Sequence, residues 1–214
     1  MSERILYGYY RSSAAYRVRI ALNLKGLAYR QQPLDLRAGL QRQDEFRRIN
    51  PQGLVPVLCD GGQCLSQSLA ICEYLDEAYP QTSRLLPLLA LQRARVRAWA
   101  QLIACDIHPL NNLRVLNYLE LQLGVETEAR KVWVQHWLRQ GFEALEAQLP
   151  QQGGYCHEEG GPTLADLCLV PQVFNAERFK LPLGAYPNIR RIVASLQMLP
   201  AFAAAHPDKQ PDAI

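Results

Sequence analysis

Two consecutive serines, Ser12 and Ser13, stand between a short β-like run, Ile5-Leu6-Tyr7-Gly8-Tyr9, and a helical pattern that lasts to Lys25-Gly26. Arg11 and Arg17 flank them. A serine at a helix entrance caps it, because the hydroxyl accepts a bond from an orphan backbone N–H of the first turn. The same turn can also do chemistry. A helix start carries positive potential, a serine hydroxyl can donate outward, and nearby guanidinium groups add charge. Such a pocket suits a thiolate, since a free thiol with a pKa near ~8.5 is mostly protonated at neutral pH and only the anion attacks. Capping and thiolate stabilisation call for the same residues, so this stretch alone leaves both open.

The elements around that turn alternate. Leu27 to Leu34 reads as a second strand, Arg37 to Ile49 is polar and weakly helical, and Asn50-Pro51-Gln52-Gly53 ends it with turn chemistry. Leu54 to Cys59 reads as a strand interrupted by Pro56, and Asp60-Gly61-Gly62 leads into the other half of a hairpin at Gln63-Cys64-Leu65. A helix from Ser68 to Tyr79 follows and Pro80 stops it. The order β-α-β-α-β-β-α is that of a small mixed sheet covered by helices. Proline within a strand belongs at an edge or bulge. A cis Val55-Pro56 bond would present the backbone of Val55 to an extended peptide, while a trans one is an ordinary edge proline; both stay open.

Residues 83–87 read as a linker between a first domain, 1–83, and an all-helical second, 88–214. The long pattern from Leu88 to Leu123 should kink or split at His108-Pro109. Glu126 to Leu149 is amphipathic, with Trp133, Trp137, Leu138, Phe142 and Leu145 at helical spacing. Loops follow at 151–154 and 158–161. Thr163 is the expected N-cap of the next helix, with Asp166 bonding back to it, and the apolar run Leu167-Cys168-Leu169-Val170-Pro171 makes that helix central. A further helix covers Asn188 to Met198, and an extended tail is expected from His206.

Length and composition narrow the classes. A chain of 214 residues can bury a full core, and a net charge of +3 without a Lys/Arg block argues against a nucleic-acid or membrane-surface partner. No apolar run approaches the ~20 residues of a membrane span, and Glu3-Arg4 do not suit a secretory leader. The six cysteines contain no CxxC pair, which speaks against a dithiol reductase and a zinc site; most sit in apolar segments and read as small buried hydrophobes in a reducing cytoplasm.

Three segments carry a resemblance. Arg11-Ser12-Ser13-Ala14-Ala15-Tyr16-Arg17-Val18-Arg19-Ile20-Ala21-Leu22 is similar to the zeta-class glutathione transferase signature SSCxWRVRIAL. Asn50-Pro51-Gln52-Gly53-Leu54-Val55-Pro56 resembles the segment leading to the family's cis-proline, and Gln67-Ser68-Leu69-Ala70-Ile71-Cys72-Glu73-Tyr74-Leu75 its glutathione-binding QSLAIxEYL. Residues 165–173 and 175–179 extend the likeness into the second half. Two positions depart from the signature: Ala14 replaces the family cysteine and Tyr16 the tryptophan.

The resemblance implies a thioredoxin-like α/β N-terminal domain with an all-α C-terminal domain, glutathione as cofactor, and a homodimer. It implies a cytoplasmic enzyme of aromatic amino-acid (tyrosine) catabolism that isomerises a dicarboxylic enone, maleylacetoacetate or maleylpyruvate, from cis to trans. It also assigns roles: Ser12, with Ser13 and Arg11, as catalytic; Gln52, Val55, Pro56, Gln67 and Ser68, with His108 and Asn112, as glutathione-binding; Arg11 and Arg178 as substrate carboxylate anchors. From the residues themselves, Ser68 can equally cap its helix, Arg178 can be a surface arginine, and His108 can make a structural hydrogen bond. Two further functions fit the family: a transferase acting on halogenated acids, and a non-catalytic glutathione-binding member.

Overall fold

The computed structural model describes residues 3–157 and 160–213; Glu158 and Glu159 of the expected loop lie outside them. The chain forms two compact units, one of residues 3–85 with 198–213 and one of residues 86–197.

In the first unit β1 (Ile5–Gly8), α1 (Ser13–Leu24), β2 (Arg30–Pro33), α2 (Asp44–Ile49), β3 (Val57–Asp60), β4 (Gln63–Ser66) and α3 (Ser68–Ala78) follow the expected order. The sheet runs β2-β1-β3-β4, with β1 parallel to β2 and antiparallel to β3. A parallel neighbour needs a crossover, and α1 supplies it. Ala15, Val18, Ile20, Ala21 and Leu22 of α1 are buried, as are Ile71, Cys72 and Leu75 of α3. Each large aliphatic side chain so buried contributes about 1.5–3 kcal/mol. The third strand starts later than expected, at Val57, because Pro56 lacks a ladder donor; the Val55–Pro56 bond is cis.

The hairpin turns at Gly61 and Gly62, both at positive φ, as a two-residue primed turn requires. Its register places Cys59 opposite Cys64. These two cysteines are joined in a disulfide with Cα atoms 4.0 Å apart, and so are not the separate buried hydrophobes expected. Directly opposed residues of an antiparallel pair bring their side chains together, a proximity visible only once register is known.

The C-terminal segment also departs from expectation. Residues 198–213 pack with the first unit, not the helical one; they form α9 (Pro200–Ala205) and, where an extended tail was expected from His206, a 3-10 turn, Pro207–Lys209. Non-local bonds hold it there: Arg19 Nε donates to Ala205 O at 3.1 Å, Asn23 Nδ2 to Ala201 O at 3.0 Å, and Gln31 Nε2 to Gln210 Oε1 at 2.8 Å.

The second unit is helical. Its α4 (Ala90–Gln101) runs into a π-helical stretch, Leu102–Ile107, and a 3-10 turn, His108–Asn111, before α5 (Leu113–Leu121); the expected break falls at His108-Pro109. Then come α6 (Thr127–Glu146), α7 (Leu164–Arg178) and α8 (Pro187–Gln197). Helix α7 is buried along most of its length and opens on the expected capping box. Asp166 accepts from Thr163 N, Thr163 Oγ1 and Cys156 N, each at 2.7 Å. Burial raises its carboxyl pKa and these bonds pull the other way; burial outweighs them. Among the described residues no helix is long and apolar enough to cross a membrane.

Candidate active site

Ser12 is the N-cap of α1, as expected: its Oγ accepts from Ala15 N at 3.2 Å, and its carbonyl accepts from Tyr16 N at 2.8 Å. Because Oγ is used as an acceptor, the hydroxyl proton is left to donate. Ser12 and Arg11 are half-buried and Ser13 is buried. The Arg11 guanidinium lies over the Tyr10 ring, 4.9 Å from its centroid, a cation–π contact that leaves the N–H edges available.

The turn preceding Ser12 is braced from far along the chain. Tyr10 N donates to Asp212 Oδ2 at 2.9 Å, and Arg19 Nη2 donates to Tyr10 O at 3.0 Å. Neither brace is legible in the sequence, where Asp212 sits in a polar tail.

Arg17 is not a charge lining the Ser12 pocket, as the sequence suggested. It is 2% exposed, and its Nη1 donates to Ser68 Oγ at 3.1 Å. The available signal was an arginine inside the apolar run Tyr16–Leu22, a position surface charge does not normally take.

Ser68 opens α3 and is buried. Gln67 before it takes φ 70° and ψ 111°, outside the usual regions for a non-glycine residue, and such conformations cluster at ligand sites. Gln67 Nε2 donates to Gln52 Oε1 at 3.0 Å. Gln52 belongs to a loop folded around Asn50, whose Oδ1 accepts from Gln52 N at 3.2 Å and whose Nδ2 donates to Leu54 O at 2.7 Å. Gly53 in that loop has φ +61°, and a Cβ there would lie 2.9 Å from Gln41 O, so only glycine fits. Next comes Val55, whose peptide N–H and C=O make no backbone hydrogen bond among the described residues, followed by the buried cis Pro56. The first unit thus brings Gln52, Gln67 and Ser68 together, with Val55 on the same loop as Gln52.

The second unit carries the other three expected residues. His108 opens the 3-10 turn. Asn112 caps α5, its Oδ1 accepting from Arg114 N at 3.0 Å. Arg178 stands exposed in the last turn of α7, at a cavity of about 330 Å³ that Arg130, Lys131 and Lys180 also line. Among the described residues no group of three or more His, Cys, Asp or Glu side chains could hold a metal ion.

A helix start capped by a half-buried serine, a Val55 peptide without backbone hydrogen bonds ahead of Pro56, and a second helix start fit a cysteine-containing peptide with a free carboxylate. Residues 6–83 match the family model "Glutathione S-transferase, N-terminal domain". The whole chain is 53% identical over 215 residues to the probable maleylacetoacetate isomerase of Vibrio cholerae, covering 100% of both. It superposes with TM-score 0.95 on a holo maleylpyruvate isomerase, a bacterial zeta-class glutathione transferase, at 46% identity, covering 98% of this chain and 100% of that one. With a maleylacetoacetate isomerase of Methylobacterium extorquens AM1 bearing malonate and glutathione, the TM-score is 0.93 at 42% identity, covering 98% and 99%.

The protein has the glutathione transferase fold. It belongs to the zeta class of that family, the class of the maleylacetoacetate and maleylpyruvate isomerases.

Proposed function

We propose that this protein is a glutathione-dependent isomerase that converts maleylacetoacetate from its cis to its trans form in the breakdown of aromatic amino acids. The observation that carries the reading is the presence, in one unit, of the Ser12 helix start and the Gln52–Gln67–Ser68 helix start. The residues fit the cofactor: Val55 offers an unused peptide N–H and C=O, and Ser68 offers a hydroxyl and a helix N-terminus to a carboxylate.

The chemistry that bound glutathione supplies is a sulfur nucleophile for reversible addition to the double bond conjugated to the substrate ketone. The chain's residues prepare and orient that chemistry. Ser12 turns its free proton toward the sulfur and favours the anion, with the first turn of α1 and Ser13 behind it. Val55, with its peptide N–H and C=O unused by the backbone, pairs with the peptide backbone as an added strand. Gln52 and Gln67 hold the γ-glutamyl end, and Ser68 takes its carboxylate. Arg11 and Arg178 are the arginines assigned to the two substrate carboxylates, which a guanidinium fork matches in two parallel bonds. His108 and the Asn112 amide N–H are assigned to ligand contacts from the second unit.

Maleylpyruvate is the second substrate to consider, because of the 0.95 TM-score with a maleylpyruvate isomerase. A cytoplasmic homodimer is the proposed working form; exposed Leu88, Leu89 and Leu91 offer an apolar surface to a second copy. The deciding experiment is an ultraviolet assay of maleylacetoacetate and maleylpyruvate with and without glutathione. Conversion that needs glutathione yet consumes none is expected. Net consumption would indicate a transferase, and no conversion of either substrate would sink the reading.

A further inference from the structure

Arg17 is the largest unexplained charge in the first unit. It is 2% exposed, and beyond its bond to Ser68 Oγ its Nε and Nη2 have no hydrogen-bond partner; no carboxylate pairs with it among the described residues. Arg19, two residues on and equally buried, contrasts with it by donating to two carbonyls. An uncompensated buried guanidinium is an expensive arrangement for a fold to keep. An apolar side chain would fill the same space without orphan donors.

What the arrangement lacks is an anion, and the place for one is next to it. Ser68 begins an eleven-residue helix whose first N–H groups have no intrahelical acceptor. Because Ser68 Oγ accepts from Arg17, the Ser68 proton must donate elsewhere. We infer that Arg17 is the buried counter-charge of the glutathione γ-glutamyl α-carboxylate, acting through Ser68. It is a positioning residue: it fixes Ser68 as a donor toward the carboxylate and supplies positive charge behind the hydroxyl. The inference rests on the reading that the start of α3 receives that carboxylate.

The test is calorimetric binding, independent of turnover. The ligands are glutathione and 4-aminobutyryl-Cys-Gly, which lacks only the α-carboxylate. Wild-type protein should prefer glutathione by about 30-fold or more, the scale seen when one partner of a buried charge pair is removed. Arg17→Met should shrink that preference to roughly threefold or less while binding the analogue as wild type does. A full preference in Arg17→Met overturns the inference and leaves the α3 reading intact. Equal weakening of both ligands also overturns it, since that is what a purely structural arginine would give. No preference in the wild type sinks the α3 reading, and the inference with it.

If Arg17→Met does not fold, Arg17→Gln still donates to Ser68 without the charge, and a retained preference there is equally fatal. Ser68→Ala keeps the cation and should narrow the preference by about tenfold or less. No narrowing at all would refute the relay through Ser68.

Discussion

Removing the Ser12 hydroxyl separates its observed capping from the thiolate-stabilising role proposed for it. Ser12→Ala deletes a cap worth about 1 kcal/mol, whereas Ser12→Gly deletes the same hydroxyl at a cost of only a few tenths. The cap bond is a single contact of 3.2 Å, and α1 is otherwise held by its buried face, so both variants should fold. The chemical effect can be worked out from the thiol. With a pKa of ~8.5, an unassisted thiol is only about 3% ionised near neutral pH. A hydrogen bond to a charged acceptor is worth about 1.5–3 kcal/mol. At 1.36 kcal/mol per unit, that lowers the pKa by about one to two units and ionises roughly a quarter to four fifths of the thiol. Loss of the donor should therefore cut the thiolate about 10- to 30-fold, and turnover by at least an order of magnitude. Ultraviolet titration of bound glutathione, run beside kcat/KM across pH, reads both quantities. Both variants should show an alkaline shift of about one to two units, with turnover recovering as pH rises. An unchanged thiol pKa would refute the argument; so would a loss of equal size at every pH, which marks a positional role.

Three further outcomes follow from the hydrogen-bond map. Asp166→Asn replaces one acceptor oxygen with an NH2 donor that faces the buried donors of Thr163 or Cys156, and should cost on the order of 3 kcal/mol, read as a lower urea midpoint. Burial raises the folded-state pKa of Asp166 above the unfolded ~3.9. Its stabilising contribution is thus greatest below that value and is lost as pH rises through the folded pKa; the variant should lack this slope. Gly53→Ala forces a Cβ to within 2.9 Å of Gln41 O at φ +61°. About 1–3 kcal/mol of destabilisation and weaker glutathione binding are expected, and an unchanged melting temperature would contradict the account. Asp212→Ala leaves Tyr10 N without its acceptor; faster amide exchange at Tyr10 is expected, at a cost near ~1 kcal/mol.

Local signals made much of this readable in advance. The β-α-β-α-β-β-α order follows from alternating periodicities, the His108-Pro109 break from a missing donor, and the α7 capping box from Thr163 and Asp166 three residues apart. Ser12 as N-cap and the Gln52–Gln67 contact lie at positions that the motifs mark. What stayed hidden depends on distant partners. The Cys59–Cys64 bond needs a strand register, the docking of α9 on α1 needs tertiary contacts, and the isomer of the Val55–Pro56 bond is not set by residue type alone. Arg17 misled for another reason. Charge is normally a surface signal, and only its setting in an apolar run hinted otherwise.

Arg17 and Arg19 together show how α1 organises the unit. At 3.6 residues per turn, side chains two apart point to nearly opposite sides of a helix. Arg17 reaches Ser68 at the start of α3, and Arg19 reaches the Tyr10 carbonyl before Ser12 and the Ala205 carbonyl of α9. Burial draws the pKa of Arg19 down to about 10, so it stays cationic at neutral pH, at a penalty on the order of 3 kcal/mol. That penalty holds at every pH below about 10 and is relieved only above it, because the folded-state value lies below the unfolded one. The two carbonyl bonds and the Tyr16 ring, 5.2 Å from the guanidinium, offset part of it. Tyr16, pushed up to about 12 by burial, stays a neutral ring. Two aliphatic residues would pack this helix more cheaply, yet the Ser12 turn would then keep only the Tyr10–Asp212 bond to the C-terminal segment, and α1 would lose its hydrogen bond to Ser68. Buried cations on both sides of one helix are what is expected when it must hold the two turns proposed to bind glutathione in fixed register, rather than only fill a core.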